Sequence, residues 1–418
     1  MNGAAGSEAE VRPLRVLYVT GSPFSSGDFV GGGEIHLVSL ARCLNKEFFC
    51  AAATYPRPGA FSELLTQEGV KGFEVNTRDW LGLPAVWRLA RLIRQQRIDI
   101  VQACDSRATL PAMAAGALTG RRCLFIVHLP HFPRALRLGA RQRLVRGLRL
   151  LRDRVSSWLA DRVIVISDEI EQEVLSRTRV APRKVIKICN GVDEERFRAE
   201  AADGEAAAEL RRSLGVGERE PVVGMLARLE PQKGHSFLFR AAAIVLMELP
   251  EVKFVVAGRG WYEPELRRQV EELGIGKSIV FAGFRDSRTL CALLDVKVFP
   301  SLDEGFGLAI AEAMLMGKPV VQSGIPAALV EHEVSGLLFP PGDVEALART
   351  LLRLLRDEPL RRRLGQQARQ VALKRYTLSR MVRQTEEVYL SLAGWGAEAL
   401  QAAAGGGPRE RREDAHWA

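Results

Sequence analysis

The sequence predicts an α/β protein of two facing, doubly wound domains with a cleft between them. Short apolar, β-branched runs alternate with helix-length segments, which is how buried parallel strands joined by crossover helices read. That alternation occurs twice along the chain. A length of 418 residues with 47% hydrophobic content suffices for two substantial cores.

In the first half, strands are predicted at residues 15–20, 49–54, 98–104, 123–128 and 162–166. The second half repeats the pattern at 221–226, 252–257, 278–281, 297–300, 319–322 and 336–339. Between them, 197–217 is rich in Ala and Glu and carries no strong core signal, so the linker is placed there, between domains at 1–196 and 197–375. Residues 394–418, with Gly405-Gly406-Gly407, read as a disordered tail. Sheets of this kind bind ligands at the carboxyl ends of their strands, so each domain is expected to offer one binding wall.

The composition narrows the classes. Cys43, Cys50, Cys104, Cys123, Cys189 and Cys291 form no CxxC pair and sit mostly in or beside apolar segments, as reduced thiols of a cytosolic protein do. No charged leader with an apolar stretch and cleavage site opens the sequence, and no apolar run of about 18 residues occurs, so a soluble or peripheral cytoplasmic protein is expected. A formal charge of +9 suggests polyanionic neighbours: nucleic acid, anionic lipid or phosphorylated substrates.

The most informative stretch is Phe299-Pro300-Ser301-Leu302-Asp303-Glu304-Gly305-Phe306-Gly307-Leu308, continuing through Glu312-Ala313-Met314 to Gly317-Lys318-Pro319. It reads as a strand, a glycine-bearing turn and a helix. Unpaired N–H groups and the positive end of the dipole favour an anion at a helix start, and Gly305 and Gly307 let a phosphate approach the backbone. The same residues also fit an ordinary strand–helix crossover with acidic residues near its N-terminus. Were the interval helical, Glu304 and Glu312 would lie ~12 Å apart along the axis, too far for the roughly 5–5.5 Å pair of a retaining glycosidase. Each Glu is therefore expected to meet a different part of one extended ligand.

Further loops belong to the same edge of each sheet. After the first strand come Gly21-Ser22-Pro23 and then Gly31-Gly32-Gly33-Glu34, opening a helix at 35–44; this is not a dinucleotide fingerprint, because the loop is too long and the spacing wrong. Gly258-Arg259-Gly260 lacks that motif's third glycine. Arg228 and Lys233, in Gly224-Met225-Leu226-Ala227-Arg228-Leu229-Glu230-Pro231-Gln232-Lys233-Gly234, emerge where a strand gives way to a helix. Two cations there would neutralise a pyrophosphate leaving group; the alternative is a pair of solvated surface charges. His128 ends the strand at 123–128, where ligands bind, although a strand-end His also serves as a structural hydrogen-bonding residue and His131 competes for any role.

On these residues the chain resembles the retaining, nucleotide-sugar-dependent glycosyltransferases of family four, which have the GT-B fold of two facing Rossmann-like domains. The resemblance covers most of the chain, from Gly31–Glu34 through Asn190-Gly191-Val192-Asp193 and 224–234 to 304–321 and 336–343. It implies that Arg228 and Lys233 hold the donor diphosphate with the backbone around Phe306, Gly307 and Leu308, that Glu304 contacts sugar hydroxyls and that Glu312 holds the ribose. Phe284 and Arg285, in Gly283-Phe284-Arg285, would border the base, His128 would lie near the sugar, and Gly31, Gly32 and Gly33 would close over the phosphates. It further implies a donor that is a UDP- or GDP-sugar, no metal or other cofactor, and a final helix, 376–393, crossing back to the first domain. The chain departs from the family at Ala327, where a Glu is common, and at Tyr376, where a Trp opens the last helix.

The expected reaction is transfer of a glycosyl group with retention, by a front-face path in which the departing phosphate helps take the acceptor proton. A sugar-nucleotide epimerase and a non-catalytic nucleotide-sugar-binding protein are the rival classes, and no nucleic-acid module is present to suggest that partner. For the acceptor, eight arginines at 134, 137, 141, 143, 146, 149, 152 and 154 accompany Leu144, Leu148, Leu151, Val155, Trp158 and Leu159 at helical spacing. That amphipathic helix either packs its apolar stripe inward under a solvated cationic back, or lets the arginines hold an anionic membrane bearing a lipid-linked glycan acceptor; a soluble acceptor is the alternative.

Overall fold

A computed structural model describes residues 12–21, 30–77, 83–128, 140–198 and 204–395, the side chains of 140–144 and 146 excepted. Ser22, Pro23, His131, Arg134, Arg137, the side chains of Arg141, Arg143, Leu144 and Arg146, and the tail from 396 onward lie outside the described residues. The chain divides into two compact units, Met1–Ile166 with Ile170–Ile188 and Val382–Ala418, and Cys189–Met381 with Ser167–Glu169.

Unit 1 holds a parallel sheet of β1 (Leu14–Val19), β2 (Phe49–Tyr55), β3 (Lys71–Glu74), β4 (Ile100–Ala103), β5 (Arg122–Val127), β6 (Arg162–Val165) and β7 (Val185–Lys187). Their order is β3-β2-β1-β4-β5-β6-β7, which reverses direction between β1 and β4. The inner strands are apolar on both faces because helices cover both; Val16, Leu17, Ile100, Val101, Leu124 and Val163 are all buried. The helix Leu378–Ala393 contributes its residues from Val382 onward to this unit. There the buried Tyr389 hydroxyl donates to Gln102 Oε1 at 2.6 Å and sits 3.1 Å from the Tyr18 hydroxyl, while Glu386 accepts from the Asn45 backbone N–H at 2.6 Å.

Unit 2 repeats the plan with β8 (Val222–Leu226), β9 (Lys253–Ala257), β10 (Ile279–Gly283), β11 (Val296–Phe299), β12 (Val320–Ser323) and β13 (Leu337–Phe339), all parallel in the order β10-β9-β8-β11-β12-β13. The reversal falls between β8 and β11. One large core, including Phe239, Phe254, Val298, Leu347 and Leu351, lies between the sheet and the helices His235–Glu248 and Val344–Arg356.

Two strands and the linker differ from expectation. β3 (Lys-Gly-Phe-Glu) and β7 (Val-Ile-Lys) were not predicted; both are short sheet edges with no fully buried residue, so they lack the apolar run that marks an inner strand. The 197–217 segment belongs to unit 2, and the chain passes between units at Ile188 and Cys189. It contains the helix Gly204–Ser213, and Leu210, Leu214 and Val216 pack on a second core with Val222, Val255 and Leu290. With three apolar anchors in a polar, Ala-rich stretch, the amphipathic signal is faint.

Candidate active site

In a doubly wound sheet, ligands bind outside the carboxyl ends of the strands where strand order reverses. In unit 2 that point lies between β8 and β11, and the segments leaving these two strands carry Arg228, Lys233, Glu304 and Gly307. After β8 the chain makes a single 3-10 turn, Pro231–Lys233, and enters the helix His235–Glu248 through Gly234 at φ +80°. A Cβ on Gly234 would lie 2.0 Å from the Pro300 carbonyl oxygen, so only glycine allows the two segments to touch. Leu302 N–H donates to the Gln232 carbonyl at 2.9 Å and fixes the same contact.

This close approach delivers Lys233 to Glu304. Nζ sits 2.6 Å from Oε2, with the side chains only 12% and 11% exposed. Arg228 is placed differently: its guanidinium is half exposed and pairs with Glu230 at 2.5 Å, and Gln232 Nε2 donates to the other Glu230 oxygen at 2.6 Å. Sequence reasoning gave Glu230 no role; an acid two residues after a cation at a strand exit was the available signal.

Glu304 is followed by Phe306, buried with its ring edge-on to Tyr376 at 5.4 Å between centroids, and by Gly307 at φ +84° as N-cap of the helix Leu308–Leu315. Gly307 has no side chain to cap the helix, and while its carbonyl accepts from the Ile310 N–H at 2.9 Å, the N–H groups of Leu308 and Ala309 form an anion-receptive end. Tyr376 keeps an aromatic ring against Phe306 at the position where the resemblance leads one to expect Trp. Ala327 is buried and brings no carboxylate.

Glu312, on the same helix, faces a separate group. It accepts a hydrogen bond from Ser287 Oγ, and burial pushes its carboxyl above the usual range, opposed by Ser287 and by the charge of Lys297. Lys297 is fully buried on β11, has no hydrogen-bond partner among the described residues, and is pulled down to about 8 by burial. Neither Ser287 nor Lys297 was singled out by the sequence. Phe284 and Arg285 follow β10; Phe284 is exposed, and Arg285 Nη1 donates to its carbonyl at 3.3 Å. Gly258 and Gly260 have a packing role, since a Cβ on either would come within 1.9 and 2.2 Å of the Ala227 and Leu229 carbonyl oxygens.

Unit 1 has its own cluster at the β1–β4 reversal. Asp105, just past β4, accepts from Thr20 Oγ1 at 2.8 Å and from the backbone N–H groups of Gly21, Arg107 and Ala108 at 2.6, 2.9 and 3.0 Å. It had no sequence signal. His128 follows β5, with its ring edge-on to His36 at 5.1 Å between centroids. Burial pulls His128 down to about 4 and His36 to about 3, so both are neutral at pH 7, and His128 Nε2 has no hydrogen-bond partner among the described residues. Gly31 is N-cap of the helix Gly32–Cys43; Gly32 and Gly33 are exposed, and a Cβ on Gly33 would meet nothing within 4 Å, so packing does not require glycine there. The structure thus joins Lys233 to Glu304 in direct contact and puts Gly307 and Leu308 beside them in sequence, with Arg228 paired elsewhere and Glu312 in its own cluster. Among the described residues, no three His, Cys, Asp or Glu lie close enough to hold a metal ion.

Comparison with known proteins supplies the context. A family profile described as glycosyl transferases group 1 matches residues 207–371, and one described as glycosyltransferase family 4 matches residues 30–196. An uncharacterized glycosyltransferase of Methanocaldococcus jannaschii is 32% identical over 240 residues, 56% of this chain and 61% of the relative. The UDP-Gal:alpha-D-GlcNAc-diphosphoundecaprenol alpha-1,3-galactosyltransferase of Escherichia coli is 26% identical over 73% of this chain and 78% of its own. Some of the first curated relatives are thus matched over less than two thirds of their length. Among solved structures, Anabaena HepE in complex with UDP matches with a TM-score of 0.76 and 26% identity, over 91% of this chain and all of HepE. HepE with UDP-glucose matches at 25% identity and the same TM-score, over 90% of this chain.

Proposed function

We propose, since this chain belongs to the family-four, group 1 glycosyltransferases and has their GT-B fold of two parallel Rossmann-like sheets, that it transfers a sugar with retention from a UDP-sugar to an acceptor hydroxyl. The observation that carries this reading is the Lys233–Glu304 pair, formed where β8 and β11 diverge and followed directly by the helix N-terminus at Gly307. The arrangement suits a departing diphosphate. As the glycosidic bond breaks, negative charge develops on the leaving oxygen, and Lys233 and the N–H groups near Leu308 are the preorganised positive groups that stabilise it, with Arg228, paired with Glu230 in the free chain, as the second cation. Glu304 holds sugar hydroxyls and, through its contact with Lys233, ties sugar orientation to the leaving-group cation. Glu312, oriented by Ser287, takes the ribose. His128, neutral at working pH, serves as a hydrogen-bonding partner for the sugar, and no enzymic nucleophile is assigned, so the front-face path is retained.

UDP is favoured over GDP because HepE binds UDP and UDP-glucose. The finer reading of the acceptor is a lipid-linked glycan at an anionic membrane surface, as the name of the E. coli relative describes for that protein. The reaction is proposed to need no metal ion.

A panel of UDP- and GDP-sugars with a polyprenyl-diphosphate sugar and with soluble sugars, read by mass spectrometry and NMR of the new anomeric centre, tests the reading, with a chelator arm for the metal. Retained configuration in a product made from a UDP-sugar is expected, undiminished by chelator. Epimerised donor without transfer would move the chain to the epimerase class.

A further inference from the structure

In the helix Ala140–Leu159, Leu148, Leu151, Val155 and Trp158 of the apolar stripe are turned to solvent. An amphipathic helix ordinarily buries its apolar face and leaves polar residues in water. Here the buried positions near its C-terminal half are Asp153, Ser156 and Ser157, and the two serine hydroxyls are satisfied by the helix's own carbonyls, Ser156 Oγ by Arg152 at 2.9 Å and Ser157 Oγ by Asp153 at 2.8 Å. Leu148, Leu151, Val155 and Trp158 recur at intervals of three and four along the opposite face, and all are exposed, Leu151 at 59% and Trp158 at 78%. The sequence alternative of an inward-packed stripe is therefore overturned for these residues. Small, self-satisfied side chains let the helix sit close to its neighbours without using its large apolar groups.

We propose that this outward stripe is a membrane-docking surface that inserts into the interface of an anionic bilayer. The occupant is argued from charge and side-chain type. Arg149 and Arg154 are exposed on the same helix, Arg152 is partly exposed beside Asp153, and the chain as a whole carries a formal charge of +9. Leucines and a tryptophan on one face with arginines around it match the acyl–headgroup boundary, where aliphatic groups leave water, the indole sits at headgroup depth and guanidinium groups meet lipid phosphates. Among the described residues no helix is long and apolar enough to cross a membrane, so the association is peripheral. The inference deepens the proposed use of a lipid-linked acceptor and rests on that reading for its purpose, but docking is measurable without transfer.

The test is co-sedimentation of the full chain with vesicles of phosphatidylglycerol and phosphatidylcholine, and with phosphatidylcholine alone, at low and high salt. The wild-type chain is expected to bind the anionic vesicles, and Leu148→Ser/Leu151→Ser/Trp158→Ser to lower that affinity about tenfold or more. Arg149→Gln/Arg154→Gln is expected to weaken binding at low salt and to reduce its salt dependence. Circular dichroism of the variants should match wild type, because the replaced groups are exposed. Wild-type protein left in the supernatant with anionic vesicles at low salt overturns the proposal, as does a triple variant that sediments like wild type. A wild-type dimer in solution that the triple variant abolishes also overturns it, by assigning the stripe to a second copy. Loss of transfer activity with docking intact would count against the proposed reaction alone.

Discussion

Lys233 and Glu304 are nearly enclosed and 2.6 Å apart, so neither can be replaced as if it stood alone. Removing one partner leaves an uncompensated charge in a poorly hydrated place, which costs more than the lost attraction. Lys233→Ala is expected to lower kcat/KM roughly 100-fold through lost stabilisation of the leaving diphosphate. In a double-mutant cycle with Glu304→Gln, a coupling of about 1 kcal/mol or more is expected; additive losses would mean that the two residues work separately. Glu312 makes the contrasting case. Its contacts are with Ser287 and the field of Lys297, so Glu312→Ala should weaken UDP binding in calorimetry, whereas Glu304→Gln should depress kcat more than UDP affinity. Equal losses of UDP binding in both would reverse these roles.

At the scale of elements, the site depends on backbone that lets β8 and β11 exits meet. Gly234→Ala places a methyl group against the Pro300 carbonyl at a backbone angle that side chains rarely adopt, and is expected to cost on the order of 1–3 kcal/mol in stability. It should also move Lys233 away from Glu304, so that activity falls further than urea-unfolding midpoints alone would explain. Wild-type activity in that variant would show that the contact does not set the pair. Elements also divide what sequence can and cannot tell. β8 and β9 were legible because burial on both faces writes near-continuous apolar runs, Val-Val-Gly-Met-Leu and Phe-Val-Val-Ala, while β3 and β7 left no such trace at the sheet edges. The glycine–carboxylate turn was legible because Gly307 answers a local backbone demand. The pairing of Lys233 with Glu304 was not, since it exists only once strand order has put β8 beside β11. The outward direction of Leu148, Leu151 and Trp158 was hidden too: periodicity defines a face of a helix and says nothing of where that face points.

At the scale of the molecule, three histidines held neutral by desolvation, His36 and His235 buried and His128 partly so, predict acid sensitivity. His36, His128 and His235 are held down to about 3, 4 and 4 by burial, below the ordinary value of 6.5 they regain on unfolding. The unfolded chain therefore binds more protons in this range, and their contribution to stability is complete above about pH 6.5 and lost progressively as pH falls toward 4. Urea midpoints are expected to fall between pH 7.5 and pH 5 and to fall less in His36→Asn; midpoints indifferent to pH over that range would contradict the buried, neutral assignment. The division of the chain carries a consequence for synthesis. Unit 2 is continuous from Cys189 to Met381 apart from Ser167–Glu169, whereas unit 1 needs Val382 onward to seat Tyr389 beside Tyr18 and Gln102. On the ribosome, almost all of unit 2 has emerged before the last piece of unit 1 is made, so the domain that begins first finishes last and waits with part of its core open. A chain stopped after Met381 is accordingly expected to keep UDP affinity in unit 2 while its amino-terminal half becomes susceptible to protease and to chaperone capture.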